Sequence, residues 1–291
     1  MTWIFLSILA ALIFTAAYFV DKFFVSTSIK NPYVATVISC AATSLFFSAT
    51  SLVAGKLVLA VPEILISLAA GIANSLGVLI YYHVMKREEV SRFIPVLSLV
   101  PVFTLFFSFL FLGESFSGMV YLGIILIISG SFLISLKKVS HVLKPQATFG
   151  LAIITTLLWG MKNALIRLGT SSADVWAVNF WIGIGAGLMA LIFFIYRGQP
   201  QGKEEKRGAW RLSIAHVFLA PSFIVVTAAL ARGPAALVSS LIQSKLVFTF
   251  FISLFLVKFL PRILRENMQG KVLVQKIVAT GLIIGGALLI I

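Results

Sequence analysis

Two lysines lie inside otherwise apolar segments of this chain, where an ammonium group is unexpected. Lys245 is near the middle of SSLIQSKLVFTFFISLFL (239–256), and Lys162 lies in LLWGMKNALIRLG (157–169). A lysine at the centre of a membrane helix costs about 2.5–3.5 kcal/mol on insertion scales, so each is a candidate for function. Ammonium groups that face one cavity would favour an anionic solute, such as a carboxylate or a phosphate. The structural alternatives are that Lys162 snorkels to the interface and that Lys245 binds a backbone carbonyl.

Neutral polar and aromatic residues of these and other apolar segments complete the predicted binding site. We expect the substrate to contact Lys245, Lys162, Asn163, Tyr18, Asn74, Trp159, Tyr81 and Ser244. Ser244 is preferred to Gln243 because, on a continuous helix, a residue two positions before Lys245 faces another side. The aromatic members have packing or interfacial roles as their alternative.

The carboxylates are expected near the ends of the membrane segments, at Asp21, Glu63, Glu88, Glu89, Glu114 and Asp174. Many proton-coupled carriers use a buried carboxylate, so this distribution favours exchange or facilitated transport. If protons are coupled, Lys245 and His216 are the candidate carriers. No metal site is predicted.

Prolines and glycines indicate where helices bend or approach closely. Pro95 and Pro101 in the fourth apolar segment and Pro221 in the eighth are predicted hinges or tolerated kinks. Two GxxxG pairs, Gly183 with Gly187 and Gly281 with Gly285, allow close helix packing, more often within a bundle than between protomers. A homodimer is left open.

The composition is that of a polytopic membrane protein. The 291 residues are 60% hydrophobic and only 11% charged, with a mean hydropathy of +1.09, whereas soluble domains are about a quarter charged. The net charge of +14 comes from short loops, which argues for membrane orientation rather than nucleic-acid binding. The first apolar segment lacks a basic start and a cleavage site, so it is expected to be retained.

Hydropathy predicts an all-α integral membrane protein with ten transmembrane helices. The predicted spans are 2–21, 33–54, 62–84, 92–112, 117–136, 149–168, 175–196, 210–231, 234–257 and 273–291. Loops after the odd-numbered spans hold 18 Lys and Arg residues, and the opposite side holds three. The positive-inside rule therefore predicts that both termini are extracytoplasmic. The protein is expected in the plasma (cell inner) membrane.

The two halves of the chain resemble each other. VFTLFFSFLFLG (102–113) and VFTFFISLFLVK (247–258) share five of twelve positions at an offset of 145, which also pairs Asn163 with Tyr18. Each half contains five predicted spans, so the second half must cross the membrane in the opposite sense, as in many secondary transporters. The predicted organisation is a five-helix repeat over 1–136, a basic cytoplasmic linker over 137–148 and a second repeat over 149–291.

Segments of both halves resemble EamA-type domains. KREEVSRFIPVLSLVPVFTLFFSFLFLGESFSGMVYLGIILIISGSFLIS (86–135) has a proline-containing helix, an LGE turn and a helix with spaced glycines, and LLWGMKNALIRLG is similar to a first-helix pattern. The chain is thus identified as resembling ten-span members of the drug/metabolite transporter superfamily, which are carriers rather than enzymes. The second half departs at Val257 and Lys258, where the turn is expected. The charge-based orientation also departs from the cytoplasmic termini with which such members are usually drawn.

The resulting hypothesis is a secondary transporter of a small metabolite, anionic or zwitterionic, that works by alternating access without a cofactor. Its partners are the solute and the lipid bilayer, and nucleic acid is not expected. The alternatives are an exporter of cationic drugs, which predicts a buried carboxylate, and a non-transporting receptor or scaffold. An enzyme acting on lipid would need convergent catalytic groups that these segments do not supply.

Overall fold

The protein is helical throughout the part of the chain that can be described. The computed structural model describes residues 2–87, 97–135, 147–256 and 270–290, and within them no strand occurs. The helices are α1 (Thr2–Thr27), α2 (Pro32–Ala54), α3 (Val61–Arg87), α4 (Val100–Leu112), α5 (Gly118–Ser135), α6 (Ala147–Ser172), α7 (Val175–Tyr196), α8 (Gly202–Leu219), α9 (Pro221–Arg232), α10 (Ala235–Ile242), α11 (Lys245–Leu256) and α12 (Gly270–Ile290). Pro95 lies outside the described residues.

Six helical segments are long and apolar enough to cross a membrane. They are Thr2–Thr27, Pro32–Ala54, Val61–Lys86, Gly150–Ser172, Val175–Tyr196 and Gly202–Arg232, the last joining α8 to α9. Shorter apolar helical segments cover Val100–Leu112, Gly118–Leu133, Ala235–Thr249 and Ile277–Ile290. The predicted first span ended at residue 21, but α1 continues for six residues beyond it.

Side-chain and glycine caps fix several helix ends. The side chain of Asn31 accepts a hydrogen bond from the backbone N–H of Tyr33 at the start of α2. Asp174 does the same for Trp176 at the start of α7. Gly55 and Gly113 end α2 and α4 with φ of 67° and 64°, a left-handed conformation that glycine adopts without strain. These caps place the turns at the bundle's surface.

Two helices of the second half are interrupted within the bundle. α8 ends at Leu219 and α9 begins at Pro221, because proline has no N–H to continue the ladder. α10 ends at Ile242, and a turn at Gln243 and Ser244 precedes α11. In the first half a turn at 98–99 precedes α4, whose first turn contains Pro101. Pro221 and Pro101 therefore stand at helix starts, next to these interruptions.

Small residues allow several helix pairs to approach closely. A Cβ at Gly183 would lie 3.0 Å from Cβ of Phe47, and one at Gly187 would lie 2.6 Å from Oγ of Ser44, so the first GxxxG pair packs α7 on α2. The second pair behaves differently. Among the described residues, nothing lies within 4 Å of a Cβ built at Gly281 or Gly285. The expectation that this second pair packs against another helix of the bundle is therefore wrong for the described residues.

The outer surface of the bundle is apolar. Leu45 is 72% exposed, Leu188 51% and Phe106 57%, and many other large apolar side chains are similarly open. Soluble monomers rarely expose apolar patches of such extent. The surface therefore suits contact with lipid, while buried polar residues lie inside the bundle.

Candidate functional site

A central cavity of about 180 Å³ lies between helices of both halves of the chain. Residues of α1, α2, α3, α6, α8, α9, α10 and α11, together with residues at the start of α4, line it. Among the predicted ligands, those that line it are Lys245, Lys162, Asn163, Tyr18, Asn74, Trp159 and Tyr81. Ser244 does not line it. The fold thus brings seven residues from four helices to one internal space.

Lys245 is the first residue of α11, directly after the interruption of the helix. Its backbone carbonyl accepts hydrogen bonds from the hydroxyl of Thr15 at 3.1 Å and from that of Thr249 at 2.7 Å. Thr15 belongs to α1 and Thr249 to α11. The backbone that carries the ammonium group is therefore held from both halves of the chain.

Lys162 brings a second ammonium group to the cavity from α6. No carboxylate of the described residues lies within 4.0 Å of either lysine nitrogen, since the ion pairs found there use Lys56, Arg167 and His216. Both lysines line the same cavity, and like charges brought to one internal space repel each other. An anion that contacts both would relieve this repulsion.

The interruption before Lys245 explains why Gln243, rather than Ser244, faces the cavity. The hydroxyl of Ser244 donates to the carbonyl of Leu241 at 2.7 Å, while Gln243 lines the cavity and is 2% exposed. The expectation assumed a continuous helix with regular spacing, and the turn at 243–244 breaks that spacing. Oε1 of Gln243 is buried and has no hydrogen-bond partner in the described part of the chain.

Asn163 belongs to a hydrogen-bonded network at the cavity wall. Its amide nitrogen donates to the hydroxyls of Thr104 at 3.4 Å and Ser239 at 3.3 Å, and Thr104 donates to Ser239 at 3.1 Å. These residues belong to α6, α4 and α10. Asn163 therefore joins three helices beside the cavity, in addition to lining it.

Aromatic rings form another wall. The rings of Tyr81 and Trp159 are 5.5 Å apart between centroids. A Cβ at Gly77 would lie 2.5 Å from Nε1 of Trp159, so glycine at that position lets the indole rest on α3. This wall offers apolar contact area with a few polar tips, as in many small-molecule sites.

Asp21 is the main functional candidate that the sequence reasoning missed. It was expected at a span end, but it is 8% exposed within α1 and lines the cavity. Its Oδ1 accepts a hydrogen bond from the hydroxyl of Tyr82 at 2.9 Å and lies 2.9 Å from Nε2 of His216. The expectation that the carboxylates lie near span ends thus did not foresee that one of them, Asp21, is buried and lines the cavity. The sequence did contain a signal: apolar residues resume at Phe23 and Phe24, after only Asp21 and Lys22, which indicates that the helix continues past the aspartate.

Carboxylates also join the two halves away from the cavity. Oε1 of Glu205 accepts from the backbone N–H groups of Lys30 and Asn31, both at 2.9 Å, and Oε2 accepts from that of Gln201 at 2.7 Å. Glu205 thereby fixes the loop between α1 and α2 to the start of α8.

Glu114 makes a corresponding contact in the loop after α4. Nε of Arg167 lies 3.8 Å from Oε1 of Glu114, which also accepts from the N–H of Ala235 at 3.3 Å. Arg167 further donates to the carbonyls of Leu230 and Ala231. Burial raises the pKa of the Glu114 carboxyl above its ordinary value, and the hydrogen bond from Ala235 and the charge of Arg167 oppose that rise.

The fold and cavity define an all-helical membrane protein with an internal polar site. Residues 1–136 match the model of the EamA-like transporter family. This family belongs to the drug/metabolite transporter superfamily, whose members are transporters rather than enzymes, and the match covers just under half of the chain. Its apolar helices and its family together support a multi-pass membrane protein.

Other comparisons add only the fold. No curated protein matches the chain. A solved structure named "Crystal structure of protein" is similar over 99% of this chain and 98% of its own, with a TM-score of 0.75 and 16% sequence identity.

Proposed function

We propose that the protein is a secondary transporter that moves a small anionic or zwitterionic metabolite across the plasma membrane by alternating access. The observation that carries this proposal is the meeting of Lys162 and Lys245, from two different helices, in one internal cavity. Each ammonium group is a point charge suited to a carboxylate or phosphate oxygen. Asn74 and Gln243 line the same space and provide amide groups for further contacts.

Helix starts at the cavity support an anionic solute. α4 begins at Val100 and α11 begins at Lys245, and both residues line the cavity. The N-terminal end of a helix carries partial positive charge. Interrupted helices whose half-helix starts face an anionic group are a recurring device in secondary transporters. The two lysines and the two helix starts therefore all contribute positive electrostatic potential to the cavity.

Corresponding interruptions support two repeats, over 1–136 and 149–291, joined by the linker 137–148. The turn at 98–99 and the turn at 243–244 are related by the same offset of 145 that aligns the halves. Each turn immediately precedes a half-helix, α4 or α11. With α8–α9 and α10–α11 each counted as one crossing, the proposed arrangement has ten spans in two inverted five-helix repeats.

Packing between α5 and α12 also supports inverted repeats. The last helices of the halves align with Gly123 opposite Ala279 and Gly130 opposite Gly286. A Cβ at Gly123 would lie 2.8 Å from the carbonyl oxygen of Gly286, and one at Gly130 would lie 2.7 Å from that of Ala279. Each residue thus meets the counterpart of the other, which is the pattern that a two-fold relation produces.

Alternating access requires contacts that close each end of the site in turn. Glu205 joins α8 to the α1–α2 loop, and Glu114 joins the turn after α4 to Arg167 of α6. Each contact links the two halves. In the proposed orientation, with both termini extracytoplasmic, the Glu205 contact closes the cytoplasmic end and the Glu114 contact the outer end.

An exporter of cationic compounds is the second candidate, and one observation favours it. Asp21 supplies the buried carboxylate that such an exporter requires, and Tyr81 and Trp159 offer faces to which a cation is attracted. However, His216 and Tyr82 already occupy Oδ1 of Asp21. Asp21 is thus paired, whereas Lys162 and Lys245 have no carboxylate partner among the described residues, and this arrangement favours the anionic or zwitterionic solute.

A thermal-shift screen of purified protein tests the proposal. Succinate, glutamate and inorganic phosphate serve as anionic or zwitterionic probes, and tetraphenylphosphonium serves as the cation. A probe that binds only the folded state stabilises it by about 2.7 kcal/mol at one hundred times its dissociation constant. We expect stabilisation by at least one anionic probe that Lys245→Met abolishes and that the exposed control Lys203→Met retains. Stabilisation by the cation alone, unchanged in Lys245→Met, would instead support the exporter.

A further inference from the structure

Asp21, His216 and Tyr82 form a buried cluster that the binding of an anion does not explain. The three residues are 8%, 6% and 1% exposed, and they come from α1, α8 and α3. The hydroxyl of Tyr82 and Nε2 of His216 both lie 2.9 Å from the same carboxylate oxygen. All three residues line the cavity. A buried charged pair is weak evidence for stability alone, because desolvation offsets much of the attraction.

The contact between Asp21 and His216 accommodates a transferable proton. In one arrangement Nε2–H donates to the carboxylate, and in the other a protonated carboxyl donates to Nε2. Nδ1 of His216 has no hydrogen-bond partner among the residues described, so it can accept a further proton. Imidazole is the side chain that ordinarily exchanges protons near neutral pH. The chemistry is reversible: an N–H bond forms as a proton arrives from water and breaks as it departs.

The other titratable groups around the cluster belong to several helices. Tyr81 of α3 is near both Asp21 and Tyr18 of α1. Cys40 of α2 is near Tyr82. Farther along the cavity lie Lys162 of α6 and Lys245 of α11. Lys22 follows Asp21 directly in α1. The carboxylate of Asp21 is the acidic group among those that line the cavity in the described residues.

The cluster is separated from the lysine that begins α11. Thr15 contacts the backbone of Lys245, and Asp21 lies six residues farther along α1. At about 1.5 Å per residue, these positions are about 9 Å apart along the helix. An anion at the lysines and a proton at His216 can therefore be bound together, and the proton's charge would balance that of the anion.

The cluster also adjoins a helix interruption. His216 is in the last turn of α8, and its carbonyl accepts from the N–H of Ala220 at 2.8 Å, one residue before Pro221. A change of charge at His216 would thus act on the contact between α1 and α8 beside a helix break. Interruptions of this kind are places where transporter helices change direction.

We infer that Asp21, His216 and Tyr82 form a proton-binding site and that the protein carries a proton in the same direction as its anionic solute. This inference rests on the proposed transport function for its coupling, but proton binding itself does not depend on it. It replaces the expectation of exchange or facilitated transport, whose premise was the lack of a buried carboxylate.

The coupling is tested in proteoliposomes with radiolabelled succinate. Counterflow without a pH gradient reports carrier function, and accumulation driven by an acidic exterior reports coupling. For one proton per solute, a gradient of about one pH unit supports about tenfold accumulation. We expect Asp21→Asn and His216→Gln to reduce the ratio of driven accumulation to counterflow about tenfold. The histidine control is His83→Gln, which removes a ring outside the cavity that is bonded to the carbonyl of Leu79.

The control should keep the wild-type ratio. An undiminished ratio in both Asp21→Asn and His216→Gln, or a wild-type protein whose exchange ignores the pH gradient, would overturn the inference and leave the carrier function standing.

Proton binding is tested separately, without any solute. Purified protein in weakly buffered detergent solution is titrated from about pH 8 to about pH 5 with a pH indicator, which spans the usual range of histidine. We expect wild type to take up about one proton more than His216→Gln. Equal uptake by wild type and His216→Gln would overturn the inference even if succinate is exchanged. If succinate is not exchanged, this titration still decides whether the site binds a proton.

Discussion

The hydroxyl of Thr15 in α1 lies 3.1 Å from the carbonyl oxygen of Lys245, the residue at which α11 begins. Thr15 is fully buried, and its hydroxyl also lies 2.9 Å from the carbonyl of Ala11. The contact joins the first helix of one half to the interrupted helix of the other. It therefore fixes the backbone that presents the central ammonium group to the cavity.

Thr15→Val should weaken this link, because valine has a similar shape but cannot donate. Loss of a buried hydrogen bond lowers stability by about 1 kcal/mol. Thermal unfolding should show that loss, and anion-dependent stabilisation should also decrease. Thr27→Val is the control, because its exposed hydroxyl bonds only within α1, to Phe23, and to the neighbouring Ser28. Equal effects of the two substitutions would contradict a special role for the Thr15 contact.

Gly123→Ala should disrupt the packing of α5 on α12. The added Cβ would lie 2.8 Å from the backbone oxygen of Gly286, which cannot rotate away. Overpacking of this kind lowers the free energy of unfolding by about 1–3 kcal/mol. Gly281→Ala is the matched control on α12, because nothing lies within 4 Å of its new Cβ. A control as destabilised as Gly123→Ala in thermal unfolding would argue against this packing.

Glu205→Ala should release the loop between α1 and α2 from α8. The substitution leaves three backbone N–H groups, those of Lys30, Asn31 and Gln201, without the carboxylate they contact. These three hydrogen bonds to a charged group are partly buried, so their loss should cost about 2 kcal/mol in total. Protease sensitivity of the loop should rise together with the loss of thermal stability. Glu204→Ala, at the exposed neighbouring position, should change neither measurement.

The ion pair between Lys56 and Asp174 should contribute a small, pH-dependent stability. The nitrogen and oxygen are 2.7 Å apart, and the hydrogen bond from Lys56 holds the pKa of the Asp174 carboxyl below its ordinary value. A lowered pKa means that the contribution is present above the unfolded-state pKa and disappears as the pH falls through the folded-state value. Because the pair is exposed, it is worth at most about 1 kcal/mol.

Asp174→Asn isolates that contribution, since asparagine can still cap α7 at Trp176. The difference in stability between wild type and Asp174→Asn should be measurable at neutral pH and should vanish in acid. A difference that grows as the pH falls would have the wrong sign for this account.

Regular features of the fold could be read from the sequence because they depend on apolar runs. The helical character and the family resemblance of residues 1–136 are confirmed. The structure also brings Lys162, Lys245 and all their predicted neighbours except Ser244 to one cavity, although their role as ligands stays a prediction. A lysine within an apolar segment is unusual enough to be identified as a functional candidate without any knowledge of tertiary contacts.

Irregular features could not be read in this way. Asp21 was assigned to a span end because hydropathy falls at Asp21 and Lys22, but α1 continues to Thr27 and tertiary contacts with His216 and Tyr82 bury the carboxylate. Gln243 was placed on the wrong side because regular helical spacing was assumed through a turn. The first error concerns a residue whose environment is set by other helices, and the second a break in helical spacing that an apolar run does not reveal.

The most direct test of the central claim is uptake of radiolabelled succinate, glutamate and phosphate into proteoliposomes containing wild type, Lys245→Met or Lys203→Met. Loss of a charged hydrogen bond to the solute costs about 1.5–3 kcal/mol, which corresponds to about 10-fold to 100-fold weaker binding. We predict saturable uptake of at least one probe by wild type and Lys203→Met, and a KM raised by that factor in Lys245→Met. Uptake with the same KM in Lys245→Met, or no saturable uptake of any anionic probe, would contradict the account.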